Sequence, residues 1–152
     1  MSDEGHIFIS YVREDTEMVD ELAAVLRSEG ALLWLDRESI EPGQRWEDAM
    51  RRAIEEGNFF LACFSQNWML KQRSVMNEEL LIAVDEMKKL QYGTVWFLPV
   101  KLTPCIIPAI PIGAGQTLHN LPWVNLYSDW KKGVAQIAET TLGLKKKERS
   151  RS

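Results

Sequence analysis

Five short apolar runs, separated from one another by helical patterns, constrain this chain more than any other feature of its sequence. The runs are His6 to Tyr11, Ala31 to Leu35, Asn58 to Phe64, Thr94 to Leu102 and Trp123 to Tyr127. They are close to continuously apolar rather than alternating, as expected of strands covered on both faces in a parallel sheet. The intervening segments carry apolar residues at helical spacing. Met18, Val19, Leu22, Val25 and Leu26 form one stripe, closed by Gly30. Trp46, Ala49, Met50, Ala53 and Ile54 form a second, closed by Gly57. Met76, Leu80, Ala83, Val84 and Met87 form a third, and Trp130, Val134, Ile137, Ala138 and Thr141 a fourth near Gly143. Repeated strand–helix units predict a doubly wound α/β sandwich. The expected form is a flavodoxin-like, five-stranded parallel sheet of order 2-1-3-4-5 with helices on both faces. Pro104 to Leu118, with three prolines and two glycines, reads as loop with at most a short helical turn.

At 152 residues the chain fits one domain, taken as residues 1–144, followed by a basic segment at 145–152. That segment reads as a frayed tail or a shortened linker in preference to a nucleic-acid arm. The net charge of −4 also argues against a nucleic-acid binder, which would present a basic face. Cys63 and Cys105 make no disulfide framework, and Cys63 lies inside an apolar run, so a reducing, cytoplasmic setting is expected. No stretch reaches the ~18 apolar residues of a membrane span, and Met1 to Gly5 is too acidic for a signal peptide.

In a sheet of this order, ligands bind past the carboxyl ends of the first and third strands, where the strand order reverses. Ser10, Tyr11 and Arg13, at the end of the first strand, are placed at this crevice, which lies between Tyr11 to Arg13 on one side and Ser65, Gln66 and Asn67 on the other. Glu79 is the sharpest candidate for chemistry. It falls at the margin of the third helix's apolar stripe, roughly 85° from its centre at 100° per residue. Glu78 falls nearly opposite and should be solvated. A carboxylate at such a margin either points into a crevice, partly desolvated, or is an ordinary charge on a helix flank. The segment Asp36 to Trp46 is long for a strand-to-helix connection and is punctuated by Pro42-Gly43. It is either a shaped binding loop or a solvated connection whose Ile40 and Trp46 tuck into the core. Ser65 has no glycine elbow and no histidine in a supporting motif, so capping or binding is preferred over nucleophilic attack. His6 and His119 belong to no cluster with metal-ligand spacing. Gly113-Ala114-Gly115 lacks the context of a phosphate loop. Leu81 and Ile82 lie off the third stripe, to be covered by another subunit or by the loop around Trp68 and Met69.

Taken in order, these segments resemble a TIR (Toll/interleukin-1 receptor) domain. Phe8-Ile9-Ser10-Tyr11 matches the opening F-I-S-Y box. Leu35-Asp36 through Pro42-Gly43 matches the second box and its BB loop. Ser65, with Ser74 to Leu80, matches the bacterial and plant pattern of a serine preceding a helix that carries a Glu-Leu pair. The resemblance spans His6 to Leu144, and it is the order and spacing of the boxes that carry it. Val75-Met76 departs from the Trp-Cys of many relatives, and Val12 replaces a basic residue found in some.

TIR domains divide into scaffolds that signal by self-association and enzymes that cleave the nicotinamide–ribose bond of NAD+. The resemblance implies the second class, with Glu79 in the catalytic position and NAD+ as substrate rather than cofactor. It places Tyr11 and Arg13 beside the nucleotide. Asp36, Glu41 and Gly43 would shape the pocket, with Trp46 close by and Ser65 after the third strand. It also implies partners of the same kind, other TIR domains in a homo-oligomer or filament, with no metal, membrane or nucleic acid. The expected products are nicotinamide and ADP-ribose or a cyclic isomer, in bacterial immune and cell-death signalling. The alternative is a non-enzymatic adaptor acting through TIR–TIR contacts.

Overall fold

The computed structural model describes residues 6–35, 45–71, 74–91 and 94–143. Residues 36–44, which include Asp36, Glu41 and Gly43, lie outside the described residues, as does the basic segment at 145–152.

Five strands form one parallel sheet: β1 (Ile7–Ser10), β2 (Leu33–Trp34), β3 (Phe59–Phe64), β4 (Phe97–Lys101) and, at its far edge, β7 (Val124–Asn125). Their order, β2-β1-β3-β4-β7, is the expected 2-1-3-4-5 counted over the strands of this sheet. The main helices are α1 (Thr16–Ser28), α2 (Trp46–Glu56), α4 (Val75–Lys89) and α5 (Trp130–Leu142). A short α3 (Gln66–Leu70) precedes α4.

The pleat of the strands divides the core in two. Ile7, Ile9, Leu61, Cys63, Leu98 and Val100 face Val19, Leu22 and Leu26 of α1 and Val134 and Ile137 of α5. Phe8, Val12, Phe60, Ala62 and Phe64 face Met50 and Ile54 of α2 and Met76, Leu80 and Ala83 of α4. Successive strand side chains point to opposite faces, so continuous apolar runs are what two covered faces require. On the α2/α4 face, Trp34, Phe8, Phe60 and Phe97 stack across four neighbouring strands, with ring centroids 4.8, 5.2 and 5.2 Å apart in that order. The pairs Phe8–Trp34, Phe8–Phe60 and Phe60–Phe97 sit directly opposite in the ladder, so this row pins the register.

Two readings of the sequence are refined by the structure. Pro104 to Leu118 is irregular over most of its length, as expected, but it also holds strand pairing that was not expected. It contains an antiparallel hairpin of β5 (Pro111–Gly113) and β6 (Gln116–Thr117), followed by a 3-10 turn at Leu118–Asn120. Gly113, Ala114 and Gly115 turn this hairpin with φ of +101°, +54° and +74°, values that favour glycine. Ile82 is not on an open face, because it packs against the α2/α4 core, while Leu81 alone stays 60% exposed. Gly57 closes α2, as expected, and does so in an extended conformation. It is needed there for space: a Cβ would come within 3.3 Å of the Ala53 carbonyl and of His6.

Candidate functional site at the ends of the first and third strands

Ser10 is the last residue of β1, and strand alternation puts its side chain on the same face as Phe8 and Val12. That face meets α4. Met76, Leu80 and Ala83 of α4 are buried there, and Glu79 is buried with them at 1% exposure. The Ser10 hydroxyl, itself fully buried, donates to Glu79 Oε1 at 2.5 Å. Glu78, one residue earlier, is exposed, as its place on the helix predicts. Glu79 therefore lies inside the buried face rather than at its solvated margin.

A cleft of about 330 Å³ opens above this pair. One wall is Tyr11, Val12, Arg13 and Thr16, where β1 turns into α1. The other is Lys71 and the first turn of α4, Ser74, Val75 and Met76. Val12 stands two residues beyond Ser10, just past the end of β1, and Met76 one turn before Glu79 on α4. The pairs Val12/Met76 and Ser10/Glu79 thus form successive layers, from the cleft floor inward. Ser74 begins α4 by accepting from the Asn77 amide at 3.3 Å. The positive end of a 15-residue helix therefore faces the cleft, beside the exposed Arg13.

The second wall corrects the expected crevice, for Ser65, Gln66 and Asn67 do not line it. Ser65 is fully buried. Its hydroxyl donates to Asp15 Oδ2 at 2.5 Å and accepts from the Trp68 amide at 3.1 Å, which caps α3. Asn67 Nδ2 donates to Asp15 Oδ1 at 2.8 Å. Asp15 is 2% exposed and ends the 3-10 turn Arg13–Asp15 that leads into α1. This network ties the turn carrying Arg13 to the start of α3, and α3 to the opposite wall. Trp68 stacks edge-on against Phe64, with centroids 5.0 Å apart, and donates from Nε1 to Asn77 Oδ1 at 3.1 Å. At the lip, Lys71 Nζ lies 3.1 Å from Glu14 Oε1, and this contact holds the Glu14 carboxyl below its ordinary range.

Of the residues singled out in the sequence, Tyr11 and Arg13 line the cleft, and Glu79 is buried on the same helix as its Met76 wall without lining it. Tyr11 is 8% exposed and packs into the α1/α5 core. Trp46 opens α2. Cys63 is fully buried, which pushes its thiol far above the usual range, and Asp15 adds to the shift. His6 Nε2 pairs with the Ala53 carbonyl at 2.7 Å and His119 Nδ1 with that of Ile107 at 3.2 Å, both structural contacts. Asp15 was missed, and Ser10, placed at the crevice with Tyr11 and Arg13, was not foreseen as the partner of Glu79. Strand parity signals Ser10, since it shares a face with Phe8. Asp15 carries no comparable signal, because its partners are 50 and 52 residues away.

The sheet order and the cleft at its reversal define a doubly wound, flavodoxin-like α/β domain. A family model described as TIR domain matches residues 7–138, and the chain belongs to that family. Among solved structures, it is similar to the TIR domain of the Toll-related receptor TRR-2 from Hydra magnipapillata. That match has 16% identity and a TM-score of 0.64, covering 97% of this chain and 99% of that one. It is similar to a TIR-STING receptor from C. gigas in complex with 2′,3′-cGAMP, at 21% identity and a TM-score of 0.60, over 86% of this chain and 39% of that one. It is also similar to the TIR domains of the activated Roq1 resistosome, at 24% identity and a TM-score of 0.56, over 64% and 57% of the two chains. At these identities the likeness is one of fold. A search of curated proteins finds no match.

Proposed function

We propose that the domain is an NAD+ nucleosidase that cleaves the nicotinamide–ribose bond, with Glu79 as its catalytic carboxylate. The observation that carries this reading is the Ser10–Glu79 pair, buried one layer below a cleft at the switch point of the sheet. Nicotinamide in NAD+ is already cationic and leaves without a general acid. The ribose then becomes oxocarbenium-like, as in glycoside hydrolysis. A carboxylate fixed in a water-poor site stabilises that developing charge. Arg13 and the first turn of α4 suit the pyrophosphate, and the wall at Tyr11 and Val12 gives the nucleotide an apolar side. Attack by water gives ADP-ribose, and attack by an adenine nitrogen or a ribose hydroxyl gives a cyclic isomer. In this conformation the cleft stops at Val12 and Met76. Substrate therefore reaches Glu79 only once that floor parts. Self-association with other copies is a fitting trigger, in cytoplasmic immune and cell-death signalling of the bacterial type. Asp36, Glu41, Gly43 and Trp46 are assigned to the pocket through the family pattern.

The sealing of Glu79 at 1% exposure also supports a second reading, in which the domain is an adaptor that binds other TIR domains. The two readings separate in one assay, nicotinamide release from NAD+ over a series of protein concentrations. The nucleosidase reading expects release that rises faster than protein concentration and is abolished in Glu79→Ala. The adaptor reading expects none at any concentration, and association that fails when Pro42 or Gly43 is replaced.

A further inference from the structure

We infer that Ser10 is the positioning residue for Glu79. The role rests on the nucleosidase reading and adds to it the group that orients its carboxylate. Three observations carry it. Ser10 is fully buried and outside the cleft lining, so in this structure it acts on the site only through a neighbour. Its hydroxyl donates directly to Glu79 Oε1, joining the end of β1 to the second turn of α4. The rest of its strand face is apolar: Phe8 lies before it and Val12 after it, and Phe60, Ala62 and Phe64 occupy the same face of the adjoining β3. A hydroxyl in such a row is costly unless it is hydrogen-bonded, and here its partner is the carboxylate.

A glutamate has three side-chain torsions, and helix geometry fixes none of them beyond the first. Ser10, by contrast, has one short torsion on a strand that is paired with β3 at Ser10 itself and with β2 at Ile7 and Phe8. The hydrogen bond transfers the rigidity of the sheet to the carboxylate, which is what a group aimed at a developing positive charge requires. The interaction acts on the group that meets the transition state and leaves the cleft walls unchanged. Its loss belongs in kcat and not in KM.

The test compares native protein with Ser10→Ala, Ser10→Thr and Glu79→Gln in NAD+ turnover, at matched concentrations, with near-ultraviolet circular dichroism to verify packing. Ser10→Ala removes one oxygen and adds no bulk. It is expected to lower kcat roughly 10- to 100-fold with KM changed less than about twofold. Ser10→Thr retains the hydroxyl and is expected to recover most of the loss. If a folded Ser10→Ala keeps native kcat, loses activity through KM alone, or is matched by an equally impaired, folded Ser10→Thr, the assignment is wrong while the nucleosidase reading stands. If native protein releases no nicotinamide at any concentration, the nucleosidase reading falls and takes this role with it.

Discussion

Two buried carboxylates stand near the cleft, and their surroundings give them different work. Asp15 has one oxygen accepting from Ser65 and the other from Asn67, so both are engaged in holding a turn. Glu79 takes its hydrogen bond from a strand residue and sits directly under the cleft floor. A third carboxylate, Glu14, is on the surface, and Lys71 keeps it ionised below the usual carboxylate range. A group whose folded pKa is depressed contributes stability above its unfolded value and loses it as pH falls through the folded one. The Glu14–Lys71 contact should therefore be constant at neutral pH and disappear below the ordinary value of 4.5. Melting curves of native protein and Glu14→Gln measured from pH 7 downward should differ slightly at the start and converge in acid. A gap that widened in acid would contradict the assignment. Added salt should shrink the neutral-pH difference as well, since the pair is exposed.

Among the elements, those whose instructions are local were legible in sequence, and those built from distant partners were not. The five strands and four long helices follow from hydrophobic spacing, and Gly143 closes α5 in the left-handed conformation that its position suggests. Strand ends were read a residue or more too long, because an apolar residue past the last ladder bond looks the same in sequence as one within it. The β5–β6 hairpin was missed because prolines and glycines mark a turn without naming the pairing around it. Glu79 stood out by type and position, but its depth depends on Ser10, 69 residues away, and no periodicity encodes that. The Asp15 network is of the same kind. Asp15→Asn would leave one acceptor oxygen where Ser65 and Asn67 now use two, and Asn67→Asp would set two carboxylates together. Each change should cost about 1–3 kcal/mol in urea unfolding. The double swap restores one donor and one acceptor and should recover at least about 1 kcal/mol, whereas purely additive losses would show that the two side chains do not interact. The seam between α5 and β7 offers a second test. A Cβ on Gly133 would lie 2.5 Å from Leu126 Cδ2 and 3.0 Å from the Asn125 carbonyl. Gly133→Ala should therefore destabilise by about 1–3 kcal/mol, although the same change in an open helix would stabilise. A raised melting temperature would contradict so close a contact.

Across the whole molecule, the sheet supplies a rigid base and the turns at its carboxyl edge supply the adjustable parts. The two cleft walls are joined below by Asp15, Ser65 and Asn67 and at the lip by Glu14 and Lys71. Glu79 is buried between the end of β1 and the first turns of α4. Among the described residues no helix is long and apolar enough to cross a membrane. The account turns on whether the buried carboxylate does chemistry. The most direct measurement is chromatography of NAD+ incubated with concentrated native protein beside Glu79→Gln, which exchanges one oxygen for an amide of the same shape. The account predicts nicotinamide with ADP-ribose or a cyclic isomer from the native chain, and at least roughly 100-fold less from a folded Glu79→Gln. Equal nicotinamide from both proteins would contradict it.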